Sequence, residues 1–273
     1  MKGIDVSTLQ GVIDWKRVAG SGIEFAMIKA TQGRGEGAAT RHLRRFTDSK
    51  FKRNIVGATD AGIPCGVYHY VTAQNEREAR EEADYFCAII EPYSERITLW
   101  AAADVESGMW LGKMGRADLT AMTRTFLDRI ASNGFRPMLY TNPDHLRYRF
   151  IEGAFAHDDI WLASWTANPL VKPQRMQMWQ YGAVGTSADV ARKAATLPDG
   201  RIPGINAGCD VNIGYFDLPL GYRVGDKYTV REGDTYTNGR PVPARLIGEE
   251  FTIQHVREGR ILLREIASWV KVL

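Results

Sequence analysis

Short apolar runs recur along this chain, each closed by a loop-forming stretch, with amphipathic segments between them. Runs of this kind fit strands buried on both faces, and the segments between them fit helices of about 3.6-residue period. The first strand covers 2–6 and carries Asp5. The loop Ser7-Thr8-Leu9-Gln10-Gly11 follows, and Asp14 is placed to cap a short helix starting at Trp15. A strand over 25–30 leads into a Gly-rich loop over 31–40, and 43–61 reads as a helix. Residues 65–71 form the next strand, and Asn75 caps a helix over 76–90 that Pro92 closes. After a strand over 99–106, the helix 118–132 gathers Leu119, Met122, Phe126, Leu127 and Ile130 on one side and stops at Asn133-Gly134. Strands over 136–141, 160–165, 177–181 and 210–213 complete this part, with a short helix from Pro143.

About eight strands alternating with helical segments predict an α/β protein built on a TIM-like parallel barrel. The barrel is irregular, with helices missing from its later half. Two prolines and too few residues for a packing helix lie between Trp165 and Gln177, and 181–210 is polar and loop-like. The catalytic-type barrel is expected over 1–217 and a linker over 218–222. Beyond it, over 223–273, short alternating strands near 228–230, 251–256, 260–263 and 269–272 are separated by turns at Asn238-Gly239 and Glu258-Gly259, and predict a small all-β barrel.

Charge changes this picture little. The formal net charge is +3, and the segment from Tyr222 to Leu273 holds nine basic against seven acidic residues, so nothing demands a nucleic-acid partner. The basic run Arg41, Arg44, Arg45, Lys50, Lys52 and Arg53 reads as a solvated helix face. It is expected to pair with Glu76, Glu78, Glu81, Glu82 and Asp84 on a neighbouring helix. Cys65, Cys87 and Cys209 are odd in number, lack metal-type spacing and sit in apolar contexts, so small buried residues are expected, with no metal and no cofactor. No apolar run reaches transmembrane length, and Met1-Lys2 leads straight into Gly3-Ile4-Asp5 with no leader, so no membrane partner is expected.

The candidate chemistry lies in acids at strand ends. Leu99-Trp-Ala-Ala-Ala-Asp-Val-Glu begins as a buried strand and ends in Asp104 and Glu106, with Ser107-Gly108 opening a loop. Side chains at i and i+2 share a face, and two residues of rise set their stems about 6.6 Å apart. Asp5 and Asp210 also fall at or near strand ends, so a parallel barrel would bring four acids to one mouth. Crowded carboxylates raise one another's pKa and keep one protonated as a general acid, a role assigned to Glu106. Tyr68, Tyr140 and Gln180 carry polar tips suited to a glycan cleft, whereas the tryptophans Trp161, Trp165 and Trp179 divide between cleft and core.

Gly3-Ile4-Asp5-Val6-Ser7 with Gln10-Gly11 and Ile13-Asp14-Trp15 resembles the opening of glycoside hydrolase family 25 lysozymes. Ala30-Thr31, Tyr68-His69, Asp104-Val105-Glu106, Leu139-Tyr140-Thr141, Trp161-Leu162-Ala163, Trp179-Gln180-Tyr181 and Asp210-Val211-Asn212 match that family's later motifs in order. The resemblance implies an N-acetylmuramidase cutting the β-1,4 bond between N-acetylmuramic acid and N-acetylglucosamine in peptidoglycan. Glu106 then corresponds to the proton donor, and Asp104, Asp5 and Asp210 to its acidic companions. Stems about 6.6 Å apart are wider than the ~5–5.5 Å of a direct carboxylate nucleophile and favour a retaining, substrate-assisted route, with inversion still open. Ala103 stands where a larger apolar residue is expected, and the Gly33–Gly37 loop lacks aromatics, which puts substrate contacts in question.

Tyr236-Thr-Asn-Gly, Phe251-Thr-Ile, Gly259-Arg-Ile-Leu-Leu and Ser268-Trp269-Val270 resemble a bacterial Src-homology-3-like domain, which implies binding of cell-wall peptide or glycan. Tyr228-Thr-Val-Arg-Glu-Gly-Asp-Thr also resembles the start of a LysM module, whose helices Pro241 and Pro243 oppose. A muramidase of this layout without a leader resembles a bacteriophage endolysin, made in the host cytoplasm and released to the wall through a holin pore. A bacterial autolysin and a non-catalytic glycan-binding protein are the alternatives, and the oligomeric state is open.

Overall fold

Alternation along the strands sorts the apolar side chains into two layers, one inside a closed sheet and one between that sheet and its helices. The computed structural model describes residues 1–35, 43–106, 111–185, 200–216, 225–257 and 260–271. The Ser107-Gly108 loop, Glu36 and Gly37, Arg41, the whole 218–222 linker and the Glu258-Gly259 turn lie outside the described residues. The chain forms two compact units, Met1–Phe216 and Asp217–Leu273.

The first unit contains β1 (Lys2–Val6), α1 (Trp15–Ala19), β2 (Phe25–Gln32), β3 (Phe46–Thr47), α2 (Phe51–Asp60), β4 (Cys65–Tyr70) and α3 (Glu76–Ile90). It continues through β5 (Ile97–Asp104), α4 (Arg116–Ser132), β6 (Pro137–Thr141), β7 (Ile160–Ala163), β8 (Met176–Val184) and β9 (Cys209–Gly214). Sheet order β1-β9-β8-β7-β6-β5-β4-β2, with β1 pairing back onto β2, closes an eight-stranded barrel, and β3 hangs on the outside of β2. The caps follow the sequence. Asp14 accepts the amide of Arg17, Asn75 accepts that of Glu78, and Gly134 takes a positive φ behind α4. No α-helix follows α4 in this unit among the described residues; a single π-helical turn spans His145–Arg149.

Two expectations are corrected. The barrel is mixed: β9 runs antiparallel to both β8 and β1. Antiparallel neighbours need no crossover helix, and the polar sequence between β8 and β9 carries no apolar pattern that predicts one. The expected helix over 43–61 is only Phe51–Asp60. Asp48 accepts the backbone amides of Thr8 and Lys50, so the chain is held in a turn ahead of the helix. Among the described residues its basic run makes no ion pair with the α3 acids; Arg45 instead lies over the Tyr85 ring of α3, 5.1 Å from its centre. Glu76 and Glu81 pair along their own helix with Arg80 and Arg77, and Glu78 and Asp84 pair with Arg34 and with Arg129 of α4, while Glu82 is buried and bonded to His69 and Thr72.

Outside the sheet, Ile4, Ile28, Val67, Ala101, Ala103, Leu139 and Leu162 pack against Phe51, Phe86, Phe126 and Ile130 of the helices. Ala103 belongs to this layer and faces away from the lumen, so its small size does not touch the mouth. Inside, the floor is aromatic: Phe216 meets Phe25 and Trp100 edge-on, with ring centroids 5.2 and 4.7 Å apart. Beneath it, buried Asp159 accepts the Trp100 indole N–H at 2.7 Å and is clamped by Arg136 and Arg175. All three cysteines are free and buried.

The second unit is one antiparallel sheet, in the order β10 (Lys227–Thr229), β12 (Glu250–Arg257), β13 (Arg260–Leu263), β14 (Ser268–Lys271) and β11 (Thr235–Tyr236). It closes over Tyr228, Val230, Phe251, Ile253, Ile261, Leu263 and Val270. Its described residues contain no α-helix, only a 3-10 turn over Ala244–Leu246, which removes the LysM alternative. No described helix is long and apolar enough to cross a membrane.

Candidate active site

Above the aromatic floor the lumen turns polar. Asp5 on β1 stands directly opposite Asp210 on β9. Asp104 closes β5, and the amide of Val105 still bonds to the Tyr140 carbonyl at 2.9 Å, so Glu106 continues on the side of Asp104. Because β9 is reversed, Asp210 reaches the mouth from the start of its strand, where the other acids reach it from the ends of theirs. The four acids predicted from the sequence therefore do meet, by a different topology from the one expected.

A buried hydrogen-bond relay fixes two of them. Asn212 Nδ2 donates to Asp5 Oδ2 at 2.8 Å, and Gln180 Nε2 donates to the same oxygen at 3.0 Å and to Asp210 Oδ2 at 3.4 Å. Gln180 Oε1 accepts from the Tyr140 hydroxyl at 3.0 Å and from the Trp165 indole at 2.9 Å. Asn212 Oδ1 accepts the Trp161 indole N–H at 2.7 Å. The Trp161 ring is flanked edge-on by Tyr68 and Tyr140, at 5.9 and 4.5 Å. Trp161 and Trp165 thus steady the polar groups, while Trp179 donates to the Ser164 carbonyl.

Of the predicted substrate-binding residues, Tyr140 and Gln180 are buried members of this relay, and Tyr68 is half-buried beside it. Two residues of the mouth escape the sequence reading. Asn212 lies two positions beyond Asp210, so the alternation that joined Asp104 to Glu106 would have found it. Lys29 breaks the apolar run of β2, and a lone charge inside a doubly buried strand is itself the sign.

Burial dominates the electrostatics. It pushes the Asp5 carboxyl up to about 6, against the Asn212 and Gln180 hydrogen bonds that pull it down. Burial, then the charges of Asp5 and Glu106, push Asp210 to about 8. Asp104 is held well above the ordinary carboxylate range by burial and by Glu106, with Lys29 pulling it back. Glu106 is raised by burial and by Asp5, again opposed by Lys29. At neutral pH this mouth therefore holds protons on carboxyl groups that would be bare in water, which is the condition for a general acid. Oδ1 of Asp104 is buried without a hydrogen-bond partner. Among the described residues no group of three or more His, Cys, Asp or Glu side chains is arranged to hold a metal.

The sequence pattern of glycosyl hydrolases family 25 matches residues 4–190. Lysozyme M1 of Streptomyces globisporus is 29% identical over 206 residues, covering 70% of this chain and 66% of that protein. The autolytic lysozyme of Clostridium acetobutylicum is 28% identical over 213 residues, covering 78% and 55%. The crystal structure of the bacterial lysozyme from Streptomyces coelicolor superposes with a TM-score of 0.60 at 26% identity, over 79% of this chain and 92% of that one. The chain spans about two thirds or less of the length of the two curated relatives.

Proposed function

This chain belongs to glycosyl hydrolases family 25, and on that premise we propose that it is a muramidase, hydrolysing the β-1,4 bond between N-acetylmuramic acid and N-acetylglucosamine in peptidoglycan. The observation that carries the reading is the meeting of Asp5, Asp104, Glu106 and Asp210 at one barrel mouth, where burial and mutual repulsion keep protons on carboxyl groups. A protein that only bound glycan would gain nothing from that cost.

In the proposed route Glu106, protonated, donates to the glycosidic oxygen as the bond to the anomeric carbon breaks. The acetamido carbonyl oxygen of the same sugar attacks that carbon and forms a cyclic oxazolinium. Asp104, whose buried Oδ1 has no partner within the protein, takes the acetamido N–H and balances the positive ring. Glu106, now a carboxylate, removes a proton from water, which opens the ring with net retention. Asp5 and Asp210, tied by Gln180, set the sugar's place beside them.

The small β unit, read as Src-homology-3-like, is proposed to hold wall peptide or glycan. The biological setting is proposed as bacteriophage-induced host lysis. The likeness to an autolytic lysozyme supports bacterial autolysis equally, and lysis that requires a co-expressed holin would separate the two.

The test is release of reducing ends from purified peptidoglycan by the protein and by Glu106→Gln. New N-acetylmuramic acid ends are expected, reduced about 10²–10⁴-fold in the variant. N-acetylglucosamine ends would move the bond, and no release across several wall types would return the chain to the glycan-binding reading.

A further inference from the structure

Lys29 is a cation inside an acidic mouth. It sits on the lumen face of β2, aligned with Tyr68 of β4, next to a register shift that falls between Lys29 and Thr31. Its Nζ donates to Gln32 Oε1 at 2.7 Å and lies 5.2 Å from the centre of the Tyr70 ring. Tyr70 is in register with Asp104 on the adjacent strand. The ammonium is thus fixed by an amide and a ring rather than by a carboxylate, and acts on the acids through space.

The groups around it are almost all acidic. Burial holds the Lys29 ammonium below the ordinary lysine range, and Asp104, Asp48 and Glu106, Asp104 most strongly, oppose the loss of its charge. Asp48 is already engaged with two backbone amides. Asp5, Asp210, Tyr68 and Tyr140 face the same mouth from β1, β9, β4 and β6, and none of them is a cation. Among the described residues Lys29 is the cation that acts on both Asp104 and Glu106.

We propose that Lys29 is a positioning residue of the reaction: its ammonium, held by Gln32 and the Tyr70 ring, is the counter-cation that keeps Asp104 negative while Glu106 holds the proton to be delivered. This rests on the muramidase reading and deepens it. A buried and a half-buried carboxyl group two residues apart share protons between them, and either could be the ionised one. Burial and the charge of Glu106 favour a proton on Asp104, and the fixed positive charge of Lys29 opposes them, which moves the pair toward the states the route needs, a bare carboxylate at 104 and an acid at 106. Lysine does this without spending a carboxylate oxygen on an ion pair, which leaves Asp104 open to the substrate.

The experiment is the pH dependence of reducing-end release for the protein, Lys29→Met, Lys29→Gln and Lys29→Arg, with folding checked by thermal unfolding. Without the cation both carboxyl groups hold their protons more tightly. In the Met and Gln variants the acid limb and the alkaline limb should both move to higher pH, by about one unit, and kcat at the original optimum should fall. Arg should restore the limbs. A carbon-13 titration of the Asp104 carboxyl should show the same upward move without reference to activity. Equal loss at every pH with unmoved limbs would overturn the proposal. So would an unmoved Asp104 titration, or Met and Gln variants that both fail to fold. An inactive wild-type protein would instead remove the muramidase reading, and the titration would still judge Lys29.

Discussion

Asp210 and Asp5 face each other across β1 and β9, so neither ionises without making the other harder to ionise. Asp210 titrates near 4 when unfolded and at about 8 in the fold. Between those values the native state holds the extra proton, so its contribution to stability is full below pH ~4 and is lost as pH rises towards 8. Asp210→Asn should therefore melt with the wild type near pH 4 and be more stable by about 0.5–2 kcal/mol at pH 8–9, with slower hydrolysis. Melting curves across pH decide it; a gap that does not depend on pH would show that the proton is not the cause. Asp159 works in the opposite sense. Burial raises its carboxyl, but the Trp100 indole N–H, Arg136 and Arg175 outweigh that and hold it below the ordinary range. Its contribution is present at neutral pH and lost on acidification.

At the scale of elements, the floor of the barrel depends on what glycine leaves out. A Cβ added at Gly3 would lie 2.2 Å from Phe25 Cζ, and Phe25 is fully buried against Phe216. Gly3→Ala should cost about 1–3 kcal/mol by overpacking, measured by denaturant unfolding. Gly20→Ala, where the nearest atoms are 3.7 Å away, should stay within about 0.5 kcal/mol. The elements themselves were legible in proportion to their local chemistry. Asn75 and Asp14 mark their helices because a side-chain oxygen caps an amide a few residues on. The stretch ahead of α2 is helical by pattern but not in the fold, because Leu43, Phe46 and Phe51 keep an apolar spacing compatible with a helix. What breaks it is Asp48 bonding to Thr8, forty residues earlier.

At the scale of the molecule, the two units have separate cores. Phe216 completes the floor of the first, so a protein ending at Phe216 should keep its barrel. If the small β unit holds the wall, that truncation should hydrolyse soluble glycan oligomers at the full rate and lose roughly tenfold or more on intact walls. Equal activity on both substrates would assign the second unit some other role.

The sequence alone determined the strand segments, the four acids and most caps, because each depends on residues close together in the chain. Apolar alternation decides burial, and a cap decides where a helix starts. It placed Asp104 beside Glu106 for the same reason. Tertiary structure decided the rest. The reversal of β9 depends on how a long connection returns to the sheet, and no local pattern records that. The pairing of Asp5 with Asp210, the relay through Gln180 and Asn212, and the seat of Lys29 join residues up to 207 positions apart. Their protonation follows from burial in the closed barrel, a property that none of these residues has until the last strand is in place.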